Sequence, residues 1–181
     1  MFQSVKVSGS HRGSADALVL GYFKGSGLDK VSAGYAPDGG VAAALKRPEA
    51  TGDRGSIVEA FPERGPRVLL VGLGAKSDLT PVLFRDIAAA IGRRLAAIQA
   101  GTVHVHVEAA LATMGADGER RIGGYGQAFG EALGLLAWSR DEFKGSATEL
   151  KKRQPLTVCC LDGAFGAGME IGLALAESTN Y

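Results

Sequence analysis

The chain has 181 residues, 46% of them hydrophobic, which is the size of one domain able to bury most of its unfolded surface without disulfides. Lys and Arg number 20 against 19 Asp and Glu, so the basic excess of a dedicated nucleic-acid binder is missing. The 27 glycines follow no period, which excludes a collagen repeat and points to tight turns and close packing.

No run approaches the roughly 20 apolar residues of a membrane helix. Met1–Ser10 is polar and alternating, without the apolar core of a signal peptide. A cytoplasmic protein with no membrane attachment is expected.

In chain order, Val5–Ser8 and Ala17–Phe23 read as strands, a hairpin or neighbours opening a sheet, with a polar turn His11–Asp16 between them. Lys24–Asp38 is glycine-rich and follows neither period. Gly39–Arg47 is a short helix by propensity, stopped by Pro48, and Ser56–Phe61 is a strand ended by Pro62. The organising stretch is Arg67–Gly101. Its apolar run Arg67–Leu73 is a buried strand, a turn follows at Gly74–Asp78, and Pro81 suits the first turn of a helix capped by Thr80 or Asp78. Leu83, Ile87, Ile91, Leu95 and Ile98 form its apolar stripe, with Arg85, Arg93 and Arg94 off it, and Gly101 closes it.

Thr102–Glu108 supplies the next strand and Met114–Gly118 a loop. A helix over roughly Arg120–Leu136 carries Ile122, Tyr125, Phe129, Leu133 and Leu136 on one face. Gly126, Gly130 and Gly134 form a second, flat stripe suited to close approach by a sheet or another helix. Trp138–Phe143 is extended or turn-like, Gly145–Gln154 a charged connector, and the last strand lies within Leu156–Leu161. The final helix, Ala164–Tyr181, is apolar on several faces through Ile171, Leu173, Leu175 and Ala176 and therefore expects a cover. About six strands interleaved with about four helices predict an α/β fold, a mixed sheet with helices on both faces.

Gly72-Leu73-Gly74 stands between a strand and a helix, as in a dinucleotide fingerprint, but Ser77 occupies the place of the third glycine. Glu108 is a loose fit to the ribose-binding carboxylate, and a tight strand-to-helix turn is the better reading. His104, His106 and Glu108 alternate with valines and would share one strand face. Two imidazoles and a carboxylate are zinc-binding chemistry, yet side chains on one strand face diverge, so a polar face or an edge strand is favoured. His11 stands alone in a turn. Arg140, Asp141, Glu142 and Lys144 read as a solvated turn, and Lys151-Lys152-Arg153 as a solvated connector without interleaved aromatics. Cys159 and Cys160 are adjacent, so a strand points them to opposite faces and they stay reduced. No G-x-S-x-G elbow and no Walker-type phosphate loop occurs. No catalytic, cofactor-binding or metal-binding residue is assigned.

Three stretches together resemble the N-terminal domain of the leucyl aminopeptidase (cytosol aminopeptidase) family. RVLLVGLG (67–74) followed by LTPVLFRDIAAAIGRRL (79–95) resembles that domain's strand, turn and alanine-rich helix. QAFGEALGLLAWSRDEFKG (127–145) resembles its helix and following segment, and GMEIGLALAESTNY (168–181) the start of the helix leading toward the catalytic domain. The family's metal-binding motifs, such as DxGG and NTDAEGR, do not occur here.

The resemblance implies a three-layer α/β/α, macro-like domain with a mixed, mostly parallel sheet of about six strands. It implies one non-catalytic N-terminal domain over residues 1–181, whose last helix, from about 166, leads toward a peptidase domain outside this chain. The parent would be a metallopeptidase that removes N-terminal amino acids with two divalent ions such as zinc or manganese. This segment would support its hexamer. The competing reading is a ligand-binding module, for an ADP-ribose-type nucleotide or for nucleic acid. Arg93, Arg94, Arg120, Arg121, Lys151, Lys152 and Arg153 would face DNA.

Overall fold

Strand β2 (Ala17–Tyr22) is buried along its whole length, so both of its faces must be covered. Ala17 and Val19, with Phe23 just beyond the strand, point into one apolar cluster, while Leu18, Leu20 and Tyr22 point into another. That is the pattern of an interior parallel strand, and the sheet is built around it. The computed structural model describes residues 1–9, 13–35, 39–138 and 153–179.

The other strands are β1 (Val5–Ser8), β3 (Ile57–Ala60), β4 (Arg67–Gly72), β5 (Thr102–Val105) and β6 (Leu156–Cys159), in the spatial order β1-β6-β5-β2-β4-β3. All neighbours pair in parallel except β3, which runs antiparallel to β4 with Ile57 opposite Val71. The mostly parallel sheet of six strands is as expected. The pairing of the first two strands is not: β5 and β6 lie between β1 and β2. Short apolar strands carry no label of their partner, and parallel pairing is decided by connections elsewhere in the chain.

Six helices are described where about four were expected: α1 (Lys30–Tyr35), α2 (Gly39–Ala44), α3 (Pro81–Ala97), α4 (Val107–Ala112), α5 (Ala116–Ala137) and α6 (Gly163–Thr179). The two unforeseen ones, α1 and α4, have six residues each. The α3 stripe behaves as read, with Ile87, Ile91 and Leu95 fully buried and Thr80 Oγ1 accepting from Leu83 N at 3.3 Å. α3, α5 and α6 cover one side of the sheet through Phe84, Phe129, Phe165 and Met169, while α2 covers the β2–β4–β3 half of the other through Val41 and Ala44.

The glycine stripe of α5 meets a second one. A Cβ at Gly126 or Gly130 would overlap the carbonyl oxygen of Phe165 or Met169, and one at Gly168 or Gly172 would overlap that of Gly123 or Gln127. The closely approached element is therefore α6. Ile171 and Leu175, on its outer side, remain 55% and 43% exposed.

Candidate functional site

In the parallel part of the sheet the chain leaves β2 toward β4 on one side and returns to β5 on the other. The strand order therefore reverses between β2 and β5, and the crevice at their carboxyl ends is where open α/β sheets place ligands. β5 ends there at Val105, three residues short of the strand Thr102–Glu108 that the alternation implied. Beyond it Val107–Ala112, rich in alanine, turns into helix α4, which places Glu108 in a first helical turn instead of on a strand.

This changes the histidine set. His104 remains on β5, half-buried, on the face opposite Val103 and Val105. Because β5 lies between β6 and β2, that face belongs to an interior strand and not to an edge. His106 is 1% exposed just past the strand, where its N–H donates to Val19 O at 2.9 Å. Its Nδ1 lies 3.3 Å from Glu108 Oε1, and its ring stacks on Tyr35 at 3.8 Å between centroids and 13° between planes. Tyr35 reaches it from α1, whose first turn is tied by Asp29: Oδ1 accepts from Val31 N and Ser32 N, and Ser32 Oγ donates to Oδ2. Glu108 Oε2 is buried without a hydrogen-bond partner.

Sequence reasoning missed Tyr35, which lies in the glycine-rich stretch without a period, and did not connect Cys160 with the charge of Glu108. Burial of Tyr35, followed by the charges of Glu108 and Asp29, raises the Tyr35 hydroxyl above its ordinary value. Burial pushes the Cys160 thiol up to about 11, and the Glu108 carboxylate adds to the push. A cysteine, a histidine and a glutamate near one crevice have the composition of a nucleophilic triad, but such a thiol stays protonated at neutral pH and is no nucleophile. Burial, then the charge of His106, lowers the His104 pKa. Among the described residues no group of three or more His, Cys, Asp and Glu is arranged to hold a metal ion.

The Gly72–Gly74 turn is closed to a phosphate. Gly74 N donates to Gly52 O, Gly72 N to Ser56 O and Leu73 N to Tyr22 O. A Cβ at Gly72 would overlap the carbonyl oxygen of Asp53, so this glycine admits the protein's own loop and not a pyrophosphate. Lys24, at the edge of this turn, is 2.6 Å from Asp53. At the end of β2, a cavity of about 220 Å³ is bordered by Gly27, Asp29, Lys76 and Thr113, and Lys76 Nζ lies 5.3 Å from the Phe23 ring centroid.

The arginines proposed to face DNA divide between the two ends of α5. Arg120 and Arg121 stand in its first turns, while Arg153 donates to Ala137 O at its last residue. Arg93 and Arg94 belong to the latter end, since Gly92 packs against Leu133 and Leu136, and Arg94 is ion-paired with Glu59. Sixteen helical residues place the two groups about 24 Å apart. Lys151 and Lys152 lie outside the described residues, as do His11 and the Arg140–Lys144 turn. Both cysteines are free, as expected.

Comparison with known proteins agrees with this architecture. Residues 19–147 match the family model described as cytosol aminopeptidase family, N-terminal domain. A search of curated protein sequences gave no match. Among solved structures, the bottromycin maturation enzyme BotP in complex with Mn is 22% identical over 92% of this chain and 30% of that one, with a TM-score of 0.60. A tomato leucine aminopeptidase mutant is 21% identical over 96% of this chain and 35% of that one, with a TM-score of 0.66. A second BotP structure is 26% identical over 92% and 31%, with a TM-score of 0.62. The chain thus spans about a third of the length of these solved structures. With residues 19–147 matched, the chain belongs to the cytosol aminopeptidase family and carries its N-terminal domain.

Proposed function

We propose that residues 1–181 form the single non-catalytic N-terminal domain of a cytoplasmic metal-dependent aminopeptidase, a hydrolase that removes N-terminal amino acids from peptides. The domain supports the enzyme's hexamer, and α6 leads toward the peptidase domain. One observation carries this reading: α6 buries Phe165, Met169 and Ala176 against the domain while leaving Ile171 and Leu175 half-exposed. That is the surface of a helix serving two neighbours. The described residues do not fit a two-ion centre, since no three or more of their His, Cys, Asp and Glu side chains converge and Glu108 Oε1 lies 3.3 Å from His106 Nδ1. In this reading the parent's two divalent ions are held by its peptidase domain, as the family resemblance implies. The coding frame past Tyr181 tests the reading: continuation into a lysine- and aspartate-bearing domain supports it, and a stop codon overturns it.

A second reading, a nucleotide-binding module, is favoured by Glu108 Oε2, a buried acceptor without a partner at the strand-order reversal. A calorimetric titration with ADP-ribose tests it. Saturable heat that Glu108→Gln abolishes supports it, and no heat excludes it.

A further inference from the structure

Helix α1 bridges the strand-order reversal: its chain leaves β2 at Tyr22, and its last residue, Tyr35, lies on His106 just past β5. Little holds it there. Only Ser32 of the helix is buried, while Val31 and Tyr35 are 59% and 39% exposed. The bonds of its first turn are its own. Asp29 accepts from the N–H groups of Val31, Ser32 and Ala33 and from Ser32 Oγ, so these bonds travel with the helix. Among the described residues, no hydrogen bond or ion pair joins residues 27–35 to the rest of the chain. The anchors are side chains at the two ends. Leu28 packs against the cluster of Leu20 and Tyr22, and the Tyr35 ring lies flat on His106.

Next to the Tyr35 stack the bonding is incomplete. Glu108 Oε1 lies beside His106 Nδ1, but Glu108 Oε2 is buried and has no hydrogen-bond partner. An orphaned acceptor penalises the closed position, and a molecule that entered and donated to it would remove the penalty. A short exposed helix, latched by one ring stack beside an orphaned carboxylate oxygen, is built to open. We infer that α1 is a gate over the crevice: it pivots at Leu28–Asp29, lifts Tyr35 off His106 and admits a small hydrogen-bond donor to Glu108 while the sheet stays folded. The admitted molecule carries an N–H or O–H group, the one kind of partner that a carboxylate oxygen accepts. The inference stands on the packing of α1 and holds whichever reading of the domain is right.

The test uses the 181-residue chain and diethyl pyrocarbonate, which acylates accessible imidazole, with the modified peptides read by mass spectrometry. An opening of α1 exposes little surface, so the His106 rate is expected to rise less than about twofold between 0 and 1 M urea. Buried Cys159 gives the contrast. Ellman's reagent reaches it only through global unfolding, and its rate rises by about fivefold or more over the same range. Tyr35→Ala removes the latch and speeds His106 modification by about fivefold or more, while Tyr35→Phe, which keeps the stack, leaves it near the parent rate. Asp29→Ala separates opening from mere uncovering, because the bonds of Asp29 are all to α1. Loss of this cap loosens the helix and speeds His106 modification by about threefold or more. Thermal unfolding of each variant is measured beside it, so that a weakened fold is not read as an open gate. Three results overturn the inference. One is a His106 rate that climbs with urea in step with Cys159, and another is a rate unchanged by Tyr35→Ala. The third is a rate raised by Tyr35→Ala and unaltered by Asp29→Ala, since Tyr35 is then only a static cover.

Discussion

Gly172 of α6 lies so close to Gln127 of α5 that a Cβ there would overlap the Gln127 carbonyl oxygen. The obstacle is backbone, which cannot rotate away as a side chain would. Gly172→Ala therefore destabilises the protein by about 1–3 kcal/mol, the usual cost of overpacking, despite alanine's better helix propensity. Gly34→Ala, in α1 with nothing within 4 Å of the added Cβ, is neutral or stabilising by up to about 1 kcal/mol. Urea unfolding of the two variants checks the contrast; equal midpoints would mean that the two helices are not in backbone contact.

The His106–Glu108 pair predicts a second stability effect. His106→Ala removes the ring stacked on Tyr35 and the partner of Glu108 Oε1, leaving both carboxylate oxygens without a partner. Stranding a buried polar group in this way costs about 1–3 kcal/mol. In the Glu108→Gln background the same change costs less, because no charge is stranded. A double-mutant cycle by urea unfolding reads the coupling, and additivity would show that the pair does not interact.

Thiol reactivity follows from burial. Cys159 and Cys160 are 4% and 2% exposed, and burial raises the pKa of each. At pH 7.5 Ellman's reagent is expected to label neither in the folded chain and both after denaturation, since attack needs an accessible thiolate. Rapid labelling of the native chain would contradict the placement of both side chains.

His104 gives the protein a pH dependence of defined sign. Burial lowers its pKa below the ordinary value of 6.5, so near and below that pH the unfolded chain binds a proton that the folded chain resists. Protons then favour unfolding, and stability falls as pH drops through the unfolded pKa and is recovered as pH rises above it. The drop in Tm between pH 7.5 and 5.5 should be smaller for His104→Gln than for the parent chain. Equal drops would assign the effect to other groups.

What could be read in advance follows from which forces are local. The α3 stripe and its Thr80 cap were legible because they depend on residues within a few turns, and the Gly126–Gly130–Gly134 stripe announced a close neighbour. The identity of that neighbour was not legible, because Gly168 and Gly172 lie in a helix whose apolar residues surround it. The strand Thr102–Glu108 was read too long: alternation continues through Val107, while Val107–Ala112 has the propensity of a helix. That overrun put His104, His106 and Glu108 on one strand face, whereas the structure leaves His104 on β5 and brings His106 and Glu108 together through the first turn of α4. The strand order was out of reach, since β1 and β6 pair across about 150 residues of chain.

The most direct measurement is hydrolysis of leucine p-nitroanilide by the purified 181-residue chain, with Mn²⁺ or Zn²⁺ supplied. A non-catalytic domain predicts no turnover above the metal-only rate with either ion. Turnover that follows protein concentration and stops on chelation would contradict it and place a metal-dependent active site within these residues.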